Sequence, residues 1–169
     1  MTVEEAIISA LDYERKVRDY YFQASKNTDD PKGREIFGAL GEEEQGHVDY
    51  LESRLKRWRA NGCLDSVELK STLPSRQWIE EGKARMQKLN LDRDYSNEIR
   101  MMKSALKLEE EVSDHYRKLV DGLEDEAQAM FRRFLIIEDA HTAIVQAEID
   151  AMEGTGFWFD FAEFNLEAG

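Results

Sequence analysis

The sequence predicts an all-α protein: a single-domain four-helix bundle with a long crossover connection and a short C-terminal extension. Three observations favour this fold class. The chain of 169 residues contains only two prolines. No glycine interrupts the stretch from Lys83 to Asp121, which is rich in residues of high helix propensity. Apolar residues recur at intervals of three and four, which is the spacing of a helix with one buried face.

Capping and turn signals place the boundaries of the helices. Thr2 and Glu5 form a capping-box pattern at the start of the first helix. Asp30 and Pro31 have the arrangement of an N-cap residue followed by a first helical position, which starts the second helix. Glycines near the ends of the long helices supply stop signals. The expected long helices span residues 3–26, 31–59, 94–121 and 124–153, and a shorter helix spans residues 75–89 within the crossover of residues 60–93.

The extension that follows the bundle is unusually aromatic. Residues 1–153 form the expected bundle, and residues 154–169 form the extension. The run from Gly156 to Phe164 exposes too much apolar surface to remain in water, so we expect it to pack on the bundle or across a homodimer. Its lack of basic flanks disfavours a membrane-surface anchor. Trp58 and Trp78 are expected to pack around the crossover.

The two halves of the chain repeat a pattern of glutamates, tyrosines and histidines. Three matches lie 95 positions apart: Glu14 with Glu109, Val17 with Val112, and Tyr21 with Tyr116. Three more lie 94 positions apart: Phe37 with Phe131, Glu44 with Glu138, and His47 with His141. Each half therefore contains a Glu on one helix and a Glu-x-x-His on the next.

The repeated acidic residues and histidines are expected to meet inside the bundle. Each interrupts an apolar helical stripe, and a Glu and a His three residues apart share one helical face. Glu14 and Glu44 are both about 15 residues from the turn near Asp29, which is roughly 22 Å along a helix. Glu109 and Glu138 are likewise nearly equidistant from the turn at Gly122. The expected converging residues are Glu14, Glu44, His47, Glu109, Glu138 and His141.

A pair of divalent metal ions explains this cluster best. Burying four ionised carboxylates without compensation would cost many kcal/mol, whereas two divalent cations balance their charge. A protonated or water-filled cluster is the alternative. Oxygen and nitrogen ligands without thiolate suit iron or manganese, permit zinc, and disfavour copper(I) and iron–sulfur clusters. A Glu from each of two helices and a Glu-x-x-His from each of two others is the general pattern of di-iron and dimanganese carboxylate bundles.

This pattern resembles the ferritin-like di-iron domain of the rubrerythrin group, and the resemblance covers the whole chain. It implies a ferritin-like bundle that carries a non-haem di-iron centre reacting with peroxide or oxygen. It further implies that the six residues are both ligands and catalytic groups. In the implied assignment the terminal ligands are Glu14 and Glu109, the bridging ligands are Glu44 and Glu138, and His47 and His141 each complete one metal site.

Two departures from the rubrerythrin pattern affect the expected activity. Rubrerythrins carry an additional Glu three residues after the third-helix ligand, where this chain has Val112. They also carry a four-cysteine rubredoxin domain, which the single Cys63 cannot build. We therefore expect a separate protein to donate the electrons. The oxidant is expected to bind between the terminal ligands, near Val17 and Val112.

Other functions use the same ligands or none of them. A ferroxidase or iron-storage protein would bind iron at the same site. A hydroxylase resembling the demethoxyubiquinone enzymes shares the doubled Glu-x-x-His but works at membranes, which a mean hydropathy of −0.65 disfavours. A non-catalytic helical interaction module would need no metal.

Composition limits the partners and the compartment. A net charge of −13 argues against non-specific nucleic-acid binding, which depends on Lys and Arg, and is compatible with cations. No apolar run approaches the roughly 18 residues of a membrane-spanning helix. The acidic start of the chain does not resemble a secretory signal, and a lone cysteine is typical of a reducing compartment. We therefore expect a cytoplasmic protein. The resemblance to ferritin-like bundles, which often pair, implies a homodimer.

The remaining polar residues of the helices are expected to play minor parts. Tyr21 and Tyr116 are interpreted as core tyrosines with hydrogen-bonded hydroxyls, with a role beside the ligands or in redox chemistry as the alternative. His115 lacks the repeated pattern and is expected at the surface or its boundary. The acidic pairs at residues 42–43 and 110–111 are expected to be solvated.

Overall fold

A computed structural model describes residues 1–65, 67–85, 94–154 and 158–159, without the side chains of residues 82–85. The protein is all-α within these ranges, as predicted, and has no strand there. The helices are α1 (Val3–Asn27), α2 (Pro31–Asn61), α3 (Arg76–Arg85), α4 (Ser96–Gly122) and α5 (Asp125–Gly154). None of the described helices has the length and hydropathy that a membrane-spanning segment requires.

The four long helices form a bundle of two hairpins. α1 packs along α2, and α4 packs along α5. The hairpins meet through α1 and α4, while the short helix α3 lies against α5. This arrangement directs one face of each long helix toward a common interior, where the apolar residues of the predicted stripes are buried.

The predicted capping signals are present at the first two helices. The Thr2 hydroxyl accepts a hydrogen bond from the Glu5 amide at 3.2 Å, and the Glu5 carboxylate accepts one from the Thr2 amide at 2.8 Å. Asp30 caps α2 by accepting a hydrogen bond from the Gly33 amide at 3.3 Å. Gly62 ends α2 in the left-handed conformation, with φ of 68°. The long helices thus begin and end within two residues of their predicted bounds.

Part of the crossover and of the extension is described. α3 begins one residue after its predicted start, and its predicted end at residue 89 lies outside the described residues. Trp78 and Trp58 pack against the core, as predicted. Trp158 contacts the Phe37 ring edge-on at 5.9 Å and donates a hydrogen bond to Asp30 at 2.5 Å. These contacts place the start of the extension on the bundle, while residues 155–157 and 160–169 lie outside the described residues.

Candidate metal centre

The bundle buries six ionisable residues at its middle. Each is at most 1% exposed, although Glu and His are rarely buried so completely without a partner of opposite charge. All four long helices contribute to the cluster: each supplies one of its glutamates, and α2 and α5 each add a histidine. The six are the residues that the sequence repeat predicts: Glu14, Glu44, His47, Glu109, Glu138 and His141.

Two Glu-x-x-His segments face each other at the centre of this cluster. Glu44 and His47 come from α2, and Glu138 and His141 come from α5. Each of the four offers a ligand atom, and these atoms all lie within 4.8 Å of one another. The group is therefore compact enough to hold a metal ion.

One side of the cluster is arranged around His47. Its Nδ1 atom lies 3.1 Å from Oε2 of Glu14 and 3.1 Å from Oε2 of Glu44. The same nitrogen lies 3.1 Å from Oε1 of Glu138, which reaches it from the opposite hairpin. Three carboxylate oxygens from three helices thus surround one imidazole nitrogen.

The other side is arranged around His141 in nearly the same way. Its Nδ1 atom lies 2.8 Å from Oε1 of Glu44 and 3.4 Å from Oε2 of Glu138. Oε2 of Glu109 lies farther away, at 4.0 Å. Glu44 and Glu138 therefore face both imidazoles, each with one oxygen per imidazole, whereas Glu14 and Glu109 each face one.

Two tyrosines hold the carboxylates that face a single imidazole. The Tyr21 hydroxyl of α1 donates to Oε1 of Glu109 on α4, and the Tyr116 hydroxyl of α4 donates to Oε1 of Glu14 on α1. Both tyrosines are fully buried, as predicted for core residues with hydrogen-bonded hydroxyls. The hydrogen bonds cross between the hairpins and leave the other oxygen of each carboxylate directed at the cluster.

The polar atoms at the centre fit a metal ion better than a closed hydrogen-bond network. Within the part of the chain that the structure describes, the oxygens of Glu44 and Glu138 lie 2.8–3.4 Å from imidazole nitrogens, but none of them makes a hydrogen bond of acceptable geometry. Leaving buried polar atoms unpaired costs about 1–3 kcal/mol for each group, and more for charged ones. A cation bound between them would satisfy these oxygens, and the absence of thiolate favours iron, manganese or zinc.

The electrostatics of the cluster indicate that it shares protons among its members. Burial raises the pKa of Glu14 well above its usual range, and the nearby charge of Glu138 raises it further. Burial also raises the pKa of Glu109. In His47, burial lowers the pKa, but the charges of Glu44 and Glu14 outweigh it and raise the pKa well above its usual range. A cation that binds here must therefore displace protons.

Glu44 and His141 show opposing effects of burial and of neighbouring charge on the pKa. Burial alone would raise the pKa of Glu44, but His141 and His47 hold it well below its usual range. Burial lowers the pKa of His141, and Glu138 and Glu44 raise it well above its usual range. The charges of the carboxylates and the imidazoles thus oppose the effect of burial on each other's pKa.

The prediction that residues 42–43 are both solvated is wrong for Glu43, which is 6% exposed. Its carboxylate accepts hydrogen bonds from the Ser71 hydroxyl at 2.5 Å and from the Thr72 amide and hydroxyl at 3.1 and 2.6 Å. The crossover folds over this face of α2 and supplies these donors, which the periodicity of α2 alone does not reveal. Glu42 and the pair at residues 110–111 are exposed, as predicted.

His115 lies apart from the centre. It is half-buried and stacks on Tyr13 with ring centroids 4.3 Å apart, and its Nε2 atom lies 3.1 Å from the Ser9 hydroxyl. The boundary position predicted for His115 is confirmed.

Comparison of the chain with known protein families, with curated proteins and with solved structures finds no significant match. The resemblance to rubrerythrins therefore depends on the ligand pattern alone.

Proposed function

We propose that this chain is a ferritin-like, rubrerythrin-like protein that binds two metal ions, preferably iron, at the centre of its bundle. The observation that supports this most strongly is the position of Glu44 and Glu138, each of which faces both imidazoles with different oxygens. Two carboxylates placed in this way suit a pair of ions, with one imidazole for each. Four carboxylates also balance the charge of two divalent ions.

The remaining ligands complete the proposed assignment. Glu44 and Glu138 are the bridging ligands. Glu14 would join His47 on one ion, because its Oε2 atom, the oxygen that Tyr116 does not hold, lies 3.1 Å from Nδ1 of that imidazole. Glu109 joins His141 on the other ion, although its oxygen is 4.0 Å from that imidazole.

We further propose that the protein is an oxidoreductase whose metal centre reduces peroxide or oxygen. When bound, a reduced iron pair would supply two electrons, which together with two protons convert peroxide to two water molecules or oxygen to peroxide. The chain itself holds the ligands in a dry interior, where Val17 and Val112 are 2% and 1% exposed and exclude water beside the terminal ligands. The Tyr21 and Tyr116 hydroxyls hold one oxygen of Glu109 and of Glu14 in place.

The electrons are proposed to come from a separate donor protein. The single Cys63 is exposed, and one cysteine cannot build a four-cysteine electron-transfer site. We also propose that the protein is cytoplasmic, because a lone cysteine is typical of a reducing compartment, and, by the resemblance, that it forms a homodimer. The net charge of −13 favours a second candidate, a ferroxidase or iron-storage protein, because an acidic chain attracts ferrous ions.

Metal analysis tests the binding proposal first. Protein purified without added metal is analysed by inductively coupled plasma mass spectrometry, and two metal ions per chain are expected. The variant Glu110→Gln removes an exposed carboxylate next to Glu109 and should retain both ions, which shows that the metal is not held by the acidic surface. Wild-type protein that binds no metal, even when iron, manganese or zinc is offered, would exclude the proposal and favour an interaction module.

Oxidation kinetics then test the reaction. The anaerobic ferrous protein is mixed separately with peroxide and with oxygen, and its absorbance is followed. Faster oxidation by peroxide is expected of a peroxidase. Equal slow rates with both oxidants contradict it, and a large multi-subunit cage on gel filtration supports iron storage instead.

A further inference from the structure

Glu43 lies behind both imidazoles, on the side away from the other carboxylates. Its Oε1 atom is 3.7 Å from Nε2 of His47 and 3.8 Å from Nε2 of His141. The two imidazole rings are stacked, 5.2 Å apart and within 2° of parallel. Both Nδ1 atoms face the proposed ligand carboxylates, so both Nε2 atoms face the same oxygen of Glu43.

Neither Nε2 atom has another acceptor in the described part of the chain. A histidine that binds a metal through one nitrogen almost always donates its other N–H to a carboxylate, a carbonyl or water. That hydrogen bond fixes the tautomer and the orientation of the ring. Glu43 is the carboxylate nearest to both N–H groups, and a shift of less than an ångström would bring its oxygen within hydrogen-bond distance of each.

The second hairpin offers His141 no equivalent carboxylate. In the 94-residue repeat that matches His47 with His141, the residue matched with Glu43 is Ile137. Ile137 is buried in the apolar core and has no acceptor in its side chain. One carboxylate is therefore left to serve both histidines.

We propose that Glu43 is a shared positioning residue that accepts the Nε2–H groups of both His47 and His141 and so orients a ligand of each metal ion. This inference rests on the proposed function, because it assumes that both imidazoles bind metal through Nδ1. It makes the two ions depend on one side chain that binds neither of them.

The crossover holds Glu43 in position. Thr72 donates its amide and its hydroxyl to Oε2, and the Ser71 hydroxyl donates to Oε1, the oxygen that faces the imidazoles. These three hydrogen bonds restrict the rotation of the carboxylate before any metal binds. A simple alternative follows from the same contacts: Glu43 could serve only to fasten the crossover to α2.

Cobalt(II) binding separates these two roles. Wild type, Glu43→Gln and the matched control Glu42→Gln, which alters the exposed neighbour, are titrated with Co²⁺ and followed by visible absorbance. In Glu43→Gln we expect the affinity of both sites to fall about 10–100-fold, the usual effect of removing a partner of a metal-bound histidine. Glu42→Gln should bind both ions as wild type does.

Proton NMR of the Co²⁺-loaded protein provides the readout that a fastening role would not change. Wild type should show two exchangeable, paramagnetically shifted N–H signals, one from each histidine. Both signals should move in Glu43→Gln. The double variant Ser71→Ala and Thr72→Val removes both hydroxyl donors of the crossover and leaves only the amide of residue 72 on Glu43. It keeps the carboxylate, so both signals and most of the affinity should remain.

The outcomes distinguish this inference from the proposed function. If wild type binds no Co²⁺ or other metal, the proposed function fails and the role of Glu43 fails with it. If wild type binds two ions and Glu43→Gln binds both equally well with unmoved signals, only the role of Glu43 is wrong. An effect on one ion alone contradicts sharing. If Glu43→Gln does not fold, Glu43→Asp, which withdraws the oxygen by one methylene, replaces it with the same expected results.

Discussion

The two hairpins of the bundle carry the same candidate ligands in different surroundings. In the first hairpin, α1 carries Glu14 and α2 carries one Glu-x-x-His segment. In the second, α4 carries Glu109 and α5 carries the other Glu-x-x-His segment. Behind the histidines the hairpins differ, because Glu43 of the first is matched by Ile137 in the second. The comparison teaches that the groups facing the centre are duplicated, whereas the groups supporting them are divided unequally.

The hairpins are also coupled rather than independent. Glu44 and Glu138 each face both imidazoles, so neither hairpin builds one side of the cluster alone. Variants of matched residues can therefore show which properties belong to one hairpin and which belong to both.

The largest effect is expected at the two carboxylates that face both imidazoles. Glu44→Ala and Glu138→Ala should each abolish dinuclear binding, because each removes two oxygens that serve different sides of the centre. Metal stoichiometry after anaerobic loading with ferrous iron and desalting measures this. The two variants should behave alike, and a variant that still holds two ions per chain would count against the bridging assignment.

A smaller effect is expected at the carboxylates that face one imidazole. Glu14→Gln should lower the affinity for the ion beside His47, and Glu109→Gln should lower the affinity for the ion beside His141. In each variant the ion beside the other histidine should be retained. Calorimetric titration with Co²⁺ should show one site whose affinity falls at least as far as the roughly 10–100-fold typical of losing a partner of a metal-bound ligand. If Glu14→Gln lost both ions and Glu109→Gln neither, the equivalence of the hairpins would be disproved.

The pH dependence of stability tests whether the two hairpins hold protons equally. In the folded protein the pKa of Glu14 and of Glu109 is raised above its ordinary 4.5, and that of His47 and His141 above its ordinary 6.5. Above pH 4.5 the folded chelated protein therefore binds more protons than the unfolded chain. Its free energy of unfolding should fall as pH rises toward neutrality, by about 1.4 kcal/mol per pH unit for each proton of difference.

Urea denaturation in the presence of a chelator, from pH 5 to 8, measures this slope. Glu14→Gln and Glu109→Gln should each flatten it to a similar extent. The metal-loaded protein provides the internal control, since bound cations require deprotonated ligands and metal affinity should rise with pH. A chelated protein that is more stable at pH 8 than at pH 6 would contradict the proton-sharing cluster.

Sequence periodicity predicted the features that depend on one helix at a time. The helix bounds and the burial of Glu14 and Glu109 follow from capping signals and apolar spacing, and the structure has both. It missed the burial of Glu43, because Ser71 and Thr72, which donate hydrogen bonds to Glu43, lie in a non-helical part of the crossover without a repeating apolar pattern. It also missed Arg54, which is buried and donates to the Leu64 carbonyl at 2.9 Å.

The tyrosine pairs show the same limit. The apolar stripes placed Tyr21 and Tyr116 in the core, but a position on a helical face does not identify the residue opposite. Only the packing of α1 against α4 reveals that each hydroxyl crosses to the glutamate of the other hairpin. The ligand roles themselves remain predictions.

The smallest effect is expected at these tyrosines, and it should cross between the hairpins. Tyr21→Phe leaves a buried oxygen of Glu109 unpaired, and Tyr116→Phe does the same to Glu14, so each should lower the free energy of unfolding by about 1–3 kcal/mol. Because the Tyr21 hydroxyl of the first hairpin donates to Glu109 of the second, Tyr21→Phe should lower the affinity for the ion beside His141.

Urea denaturation and Co²⁺ titration together measure both parts of this prediction. Tyr20→Phe is the matched control, since the half-buried Tyr20 hydroxyl donates to the Met101 carbonyl at 2.7 Å, outside the centre. Its loss should leave both ions unaffected. If Tyr21→Phe instead disturbed the ion beside His47, each tyrosine would support its own hairpin, and the two halves would be less coupled than the crossed hydrogen bonds indicate.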